Sequence, residues 1–404
     1  MAVLRGVRGH VRPRGAEHHH RVPAGPRGAQ FARGPRRSRP RGEGPGGTAA
    51  VSSDFTSALT DQGYAAGWRL VRGLPEGLAR KLFDAGADLG SRKANKAAHA
   101  GHPNQLRRNL ARVLGVPPEQ VPDELIRDSM RSYARYWREA FRLPSMDHAD
   151  MVRSGRLFVN EVEHLEAAVA AGRGAVLALP HSGNWDMAGV WLVQNQGGLA
   201  TVAERLQPES LFVRFMEYRE SLGFEVFPLS GGEQPPFPQL ADRLRDNKVV
   251  CLMGERDLTG KGVPVDFFGE RTWMPAGAAK LAIETGAALI PVHCWFTTGP
   301  DGREGWGFKT EAPIDVSGGV AAATQALADR FAANIAAHPA DWHMLQPVWE
   351  SDLSQERLAR IAAAQQALGF SAERSRGQSA PQAPGQASPE AETGTQGHRG
   401  DGAL

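Results

Sequence analysis

The sequence predicts an α/β protein with a mainly parallel central sheet, helices on both faces of that sheet, and a helical subregion ahead of it. Three observations carry this. From residue 156 onward, short runs of branched apolar residues alternate with longer amphipathic stretches, and repeated strand–helix units build a parallel sheet covered on both sides. Before residue 150, apolar residues recur at helical rather than strand spacing. At both ends the apolar periodicity disappears. The chain therefore divides into a tail over residues 1–53, a folded domain over 54–368 (helical over 54–150, α/β core over 151–350), and a second tail over 369–404.

The first tail is Arg, Gly and Pro, which cannot offset its own ordering entropy and is expected to be disordered. Its triple histidine, His18 to His20, sits alone and has no metal-site spacing around it. Pro75 suits a first helical turn, with Leu78, Leu82 and Phe83 following it. In "NQLRRNLARVLG", Leu106, Leu110, Val113 and Leu114 share a side, and Gly115 closes the helix. "PDELIRDSMRSYARYWREAFRLP" sets Ile126, Met130, Tyr133, Trp137 and Phe141 on one face, flanked by Arg127, Arg131, Arg135 and Arg138. Such a helix suits a membrane interface. Packing on a core with a solvated basic flank is the commoner arrangement and the one expected here.

The core follows in order. "RLFVNEV", "AVLALP", "LATVAE", "FEVFPL", "KVVCLMG" and "ALIPVHCWF" read as strands. "EHLEAAVAAG", "WDMAGVWLVQN", "PESLFVRFMEYRESLG", "PPFPQLADRLRDN" and "PAGAAKLAIETGA" read as the helices between them. In the last helix Pro275 opens the first turn, while the small Gly277, Ala278 and Ala279 let it approach the sheet closely or leave room for a chain-like ligand, packing being the plainer reason.

Composition excludes several functions. The formal charge is +3, yet residues 1–50 hold eleven arginines against Glu17 and Glu43, so the remaining residues carry −6. The basic balance belongs to the tail and gives no reason to expect nucleic-acid binding. Cys251 and Cys294 each lie inside an apolar run and form neither a disulfide framework nor a metal spacing, which fits a reducing compartment. His293, His338 and His343 are scattered, so no metal is expected. No run approaches the ~18 uninterrupted apolar residues of a membrane span, and the first residues lack a secretory signal's apolar middle.

The chemistry concentrates where "AVLALP" ends. His181 follows Pro180, Ser182, Gly183 and Asn184 make a turn, and Asp186 falls in the first turn of the next helix. A carboxylate there favours the helix dipole and needs no further reason. It also suits the orienting half of a catalytic triad, holding one imidazole nitrogen so that the other stays basic. No G-x-S-x-G elbow occurs. A His–carboxylate pair without a protein nucleophile suits activation of a substrate hydroxyl. Glu204 and Glu255 each follow a predicted strand at the same sheet edge, so acids and base converge where a parallel sheet forms its cleft. Glu255 has a plainer reading as a loop carboxylate paired with Arg256, and Arg219 as a surface ion pair with Glu217 or Glu220. Backbone donors around Gly183 and Asn184 are candidates to hold an oxyanion.

These residues carry a resemblance. "HSGNWD" is similar to the H-x4-D signature of glycerolipid and lipid A acyltransferases. With the later "VAERLQPESLFVRFMEYRESLGFEVFPL", "VVCLMGERDLTGKGVPVDFFGERTWMPAGAAKLAIETGAALIPVHCWF" and "DWHMLQPVW", residues 55–365 resemble the lipid A biosynthesis acyltransferase superfamily and, within it, the phosphatidylinositol mannoside acyltransferases. The resemblance implies acyl transfer from a thioester to an alcohol. His181 would be the general base, Asp186 would hold its imidazole, and Glu255 would complete a His–carboxylate relay. Glu204 and Arg219 match further polar site positions, and Arg256 and Asp257 support them. It further implies acyl-CoA as donor, a phosphatidylinositol mannoside as acceptor, no cofactor, and peripheral attachment to lipid at the cytoplasmic face of the cell membrane. Acylation of another glycolipid or of a lysophospholipid, hydrolysis by an esterase or thioesterase, and a lipid-binding module without turnover are the rival readings.

Overall fold

The structure is a computed structural model that describes residues 70–205 and 209–367, all within the unit Ser53–Leu404. The Arg-rich head, its triple histidine and the polar tail lie outside the described residues.

Four helices come first: α1 (Glu76–His99), α2 (Gln105–Leu114), α3 (Asp123–Arg142) and α4 (His148–Arg153). The ends of α2 follow from its sequence. Asn104 accepts from the Arg107 N–H at its start, and Gly115 adopts a left-handed φ of 66° at its finish. Helix α1 packs on α3 through small residues, burying Ala79, Ala87, Ser91 and Ala98. A Cβ at Gly90 would stand 3.0 Å from the Met130 methyl. The sequence grouped Leu78 and Leu82 with Phe83 as one side, and the structure divides them. Phe83 turns inward to the Phe141 ring, 6.4 Å away, whereas Leu78, Leu82 and Leu89 are 46, 55 and 70% exposed. Close helix contact selects the small-residue face and leaves the leucines outside.

The core elements are β1 (Leu157–Asn160), α5 (Glu163–Ala170), β2 (Ala175–Leu179), α6 (Trp185–Gln196), β3 (Leu199–Ala203), α7 (Glu209–Ser221), β4 (Phe224–Pro228), α8 (Pro236–Arg245) and β5 (Val249–Met253). After them come β6 (Val263–Phe267), β7 (Glu270–Met274), α9 (Gly277–Thr285), β8 (Ala288–Thr298), β9 (Glu304–Thr310), α10 (Gly319–Ala337) and α11 (Gln355–Ala367). The main sheet runs β1-β9-β8-β2-β5-β3-β4. Strands β8, β2, β5, β3 and β4 are mutually parallel, and β9 turns back antiparallel beside β8 with β1 parallel to it. The predicted α/β class and mainly parallel sheet are what the structure contains. The antiparallel pair β6–β7, strand β9 and helices α10 and α11 were not among the predicted elements.

Both sheet faces are covered, which explains the unbroken apolar run of β2. Ala175, Leu177 and Leu179 face a core shared with α5, α6 and α7. Val176 and Ala178 face the opposite core, with α8, α9 and α10. Ala278, Ala279, Leu281 and Ala282 bury the small face of α9 there, so packing accounts for those residues.

The sheet also positions the chemistry. β2 and β5 are adjacent and parallel, with Leu179 opposite Met253. The Gly254 N–H donates to the Leu179 carbonyl at 2.9 Å, carrying the pairing one residue further. The next residues on the two strands bring His181 and Glu255 together.

Candidate active site

Glu255 is 0% exposed, and its Oε1 accepts from two groups of His181, the backbone N–H and ring Nδ1, each at 2.7 Å. A carboxylate only accepts, so Nδ1 carries a proton, and in the neutral ring Nε2 keeps the lone pair. The His181 side chain is 33% exposed, so the ring is reached from the surface while Nδ1 is held by Glu255. Burial pushes the Glu255 carboxyl up, but the charge and hydrogen bonds of His181 pull harder, and its pKa ends below the ordinary value.

Asp186 has other partners. It is 1% exposed; its Oδ1 accepts from Arg219 Nε at 3.1 Å and its Oδ2 from the Tyr136 hydroxyl at 3.1 Å. Arg219 thus meets an acidic group of the site, and not the surface partners Glu217 or Glu220. The expectation that Asp186 holds the imidazole gives way to Glu255 in that place. The reason is topological: residues that follow two adjacent parallel strands lie side by side, whereas Asp186 has already turned into α6 toward α7 and α3.

The turn between them is fixed from behind. Segment Asp341–His343 runs antiparallel to it: Gly183 N–H donates to the Asp341 carbonyl at 2.9 Å, Ser182 bridges Trp342, and His343 N–H donates to the His181 carbonyl at 2.8 Å. Gly183 has φ 57°, and a Cβ there would come within 2.7 Å of the β8 backbone at Cys294 and Trp295. Its N–H is therefore committed inward and is no oxyanion donor. Asn184 caps α6 by accepting from the Met187 N–H at 2.9 Å, and its amide donates to Glu139 Oε2 at 2.6 Å. The start of α6 still directs its positive dipole end at the site.

His343, Asp341, Tyr136, Trp185 and Glu139 are the residues that sequence reasoning missed. His343 Nε2 lies 2.9 Å from Ser132 Oγ, which donates to Asp341 Oδ1 at 2.7 Å. Burial, and then the proximity of His181, hold the His343 ring at a pKa of about 3, so it stays neutral. The serine lies between the acid and the imidazole and is sealed, so this trio braces the turn and supplies no nucleophile. "DWHMLQPVW" was the available signal for it.

Of the two arrangements open to α3, it adopts packing on the core, with Ile126, Met130 and Trp137 turned inward. Ile126 and Arg138 are buried, Tyr136 stacks on Trp185 at 4.0 Å, and Arg135 pairs with Glu139 at 2.6 Å. Glu139 also accepts from Trp306 Nε1 at 2.7 Å. Arg135 and Arg138 bind acids inside the protein, whereas Arg127 and Arg131 stay at the surface, 42 and 43% exposed, beside Asp128 and Asp88.

Glu204 is exposed just after β3, which β5 separates from β2, and among the described residues no hydrogen bond or ion pair joins it to His181. Asp257 is spent on its own loop, accepting from Thr259 N–H at 2.8 Å and Gly262 N–H at 2.9 Å. Arg256 is half-buried and lines a cavity of about 360 Å³. A second, narrow slot of about 60 Å³ runs along the sheet beneath α6, between Asp186 with Arg219 and the apolar Leu177, Leu192 and Met253. Cys251 lines it too, and burial raises its thiol to about 12, so it stays protonated.

This arrangement is a part-exposed, carboxylate-supported imidazole against Trp185, which lines an apolar slot. A match to the family described as bacterial lipid A biosynthesis acyltransferase covers residues 50–351. The chain is 66% identical over 304 residues to a phosphatidylinositol mannoside acyltransferase of Mycolicibacterium smegmatis, covering 75% of this chain and 95% of that protein. It is 63% identical over 310 residues to a protein of the same name from Mycobacterium tuberculosis, covering 76% of this chain and 94% of the other. The chain belongs to the bacterial lipid A biosynthesis acyltransferase family and is an acyltransferase.

Proposed function

We propose that the protein transfers a long-chain acyl group from an acyl thioester, most simply acyl-CoA, to a mannose hydroxyl of a phosphatidylinositol mannoside, both substrates being bound together. His181 Nε2 takes the hydroxyl proton as the alcohol oxygen attacks the thioester carbonyl. The tetrahedral intermediate then expels the thiolate, the C–S bond breaks, and the imidazolium returns its proton to sulfur. Glu255 holds the ring in the required tautomer and stabilises its charged form, as an acid does in a triad. A positioned base of this kind contributes roughly 10²–10⁴ in rate. With the Gly183 and Met187 N–H groups already bonded, the remaining backbone N–H groups at the start of α6 are the candidates to hold the developing oxyanion.

The observation that supports this reading is the part-exposed His181 ring, held at Nδ1 by Glu255 and lying 5.4 Å from Trp185, which lines the apolar slot. The slot is narrow, so the acyl chain enters by displacing side chains between α6 and β5. Purified protein given palmitoyl-CoA and a phosphatidylinositol mannoside is expected to yield the acylated lipid by mass spectrometry. Release of free fatty acid alone would replace transfer by hydrolysis, and acylation of lysophosphatidate in place of the mannolipid would change the acceptor.

The reading includes work at a lipid surface. Among the described residues no helix is long and apolar enough to cross a membrane. On α1, exposed Leu78, Leu82, Ala85 and Leu89 follow one another down one side, flanked by exposed Lys81, Arg92, Lys93 and Lys96. Apolar side chains bordered by cations suit the anionic face of a bilayer. A Leu82→Ser/Leu89→Ser variant is expected to bind anionic vesicles more weakly, and undiminished binding would remove α1 from the contact.

A further inference from the structure

The cavity of about 360 Å³ is not used by the mechanism above. Its walls include Arg256, which directly follows Glu255, Arg357 and Arg360 from α11, and the indole of Trp273 from β7. The charges of the three guanidinium groups are poorly matched by acids. Among the described residues no carboxylate lies within ion-pair distance of Arg256 or Arg357; Arg357 donates to the backbone carbonyls of Asp257 and Leu258. Among the described residues Arg360 has only Glu356, at 3.9 Å on an exposed surface. The two acids that share the cavity are engaged elsewhere. Asp257 is held by Thr259 and Gly262, and Asp352 by Arg112 at 2.8 Å and Gln105 at 2.8 Å. A concave site with surplus guanidinium charge attracts an anion, and guanidinium groups match phosphate oxygens best. Trp273 adds a flat wall on which a sugar or cyclitol ring can lie, and its Nε1–H is a buried donor with no partner among the described residues.

Position separates this cavity from the acyl slot. The slot lies on the sheet face packed by α6 and α7, among Leu177, Leu179 and Leu192. The cavity's Val348 belongs to the opposite core, with Met274 and Trp349. Arg256 of the cavity directly follows Glu255, and Trp185 of the slot lies 5.4 Å from the His181 ring, so the pair adjoins both.

We propose that this cavity is a phosphate subsite that holds the phosphodiester of the acceptor lipid's headgroup, with its ring against Trp273 and its phosphate between Arg256 and Arg360. The inference rests on the reading of a phosphoinositide-type acceptor. It assigns the two substrates to opposite sides of one imidazole, the donor chain beneath α6 and the acceptor headgroup beside α11.

The test is calorimetric binding of glycerophosphoinositol, and separately of desulfo-coenzyme A, to the full chain and to an Arg256→Gln/Arg360→Gln variant at low salt. Loss of two charge-assisted contacts is expected to weaken glycerophosphoinositol binding by about tenfold or more while desulfo-coenzyme A binding stays within about twofold. Neutral myo-inositol is expected to bind far more weakly than glycerophosphoinositol to the unaltered chain. If only desulfo-coenzyme A binding weakens, the cavity holds donor phosphates and the assignment to the acceptor is overturned. Unchanged binding of both, with the variant's melting temperature preserved, overturns the subsite altogether. Because binding is read without turnover, failure of acyl transfer and failure of the subsite appear as separate results. Arg360→Gln alone, on the exposed side of α11, serves should the double variant not fold.

Discussion

Two carboxylates enter the same sheet edge, Asp186 and Glu255, and both are buried. One meets a permanent cation and a phenol, and the other meets an imidazole that is open to the surface. The partner decides the role. Arg219 cannot give up its proton under any working condition, so the Asp186 corner fixes geometry. His181 can gain one, so the Glu255 corner moves protons. Burial of a carboxylate beside a histidine thus says little about function until the partner of each acid is known.

The comparison breaks most sharply by neutralising each acid in turn. Glu255→Gln is expected to lower kcat by roughly 10²–10⁴, since the amide cannot stabilise the imidazolium and favours the wrong tautomer. His181→Ala is expected to fall as far, and the two losses should not add, because the residues act as one unit. Steady-state kinetics on the folded variants decide it; near-normal turnover by either would reverse the assignment. Asp186→Asn is expected to act mainly on stability. It leaves the Arg219 charge without its counter-ion, at a cost of about 3–5 kcal/mol by analogy with broken buried pairs. Denaturant unfolding should register that loss, and Asp186→Asn/Arg219→Met should recover part of it. An Asp186→Asn protein as stable as the parent would make this corner more than a brace.

A smaller effect comes from His343, whose ring lies against Tyr136 on the Asp186 side and whose N–H bonds the His181 carbonyl on the other. His343 and His293 are each held at about 3 in the folded chain, burial being the main cause. Their folded values lie below the ordinary value of about 6.5, so the unfolded chain takes up more protons as pH falls. Stability is therefore intact above that pH and declines as pH drops toward the folded value. Glu255 adds in the same direction at lower pH, its carboxylate being favoured by folding. Melting temperature is expected to fall below pH ~6.5, and less steeply in His343→Gln. An identical slope in that variant would mean His343 does not stay neutral.

Much of this was legible in the sequence. The buried strands announce themselves as unbroken apolar runs, because a parallel sheet covered on both sides hides every residue of β2. The hairpin β6–β7 does not, since Pro264 interrupts the first strand and Arg271 the second. Strand β9 is hidden likewise by Gly305 and Gly307. At the site, His181, Asp186, Glu255 and Arg219 were all visible as chemistry-bearing positions. Which acid touches the imidazole was not, since that contact spans two strands and 74 positions of chain. The outward leucines of α1 were illegible for a related reason. Periodicity reports that a helix has faces, and its neighbour chooses which face is buried.

The account depends on the proton of His181 residing on Nδ1, toward Glu255, so that Nε2 is free to accept another. Nitrogen NMR of protein labelled at histidine, with the His181 signals assigned by difference from His181→Ala, reads this tautomer directly. Above the titration of the ring, a protonated Nδ1 and a bare Nε2 are expected, and Glu255→Gln should disturb that preference. A ring protonated at Nε2 in the parent protein would contradict the proposed base.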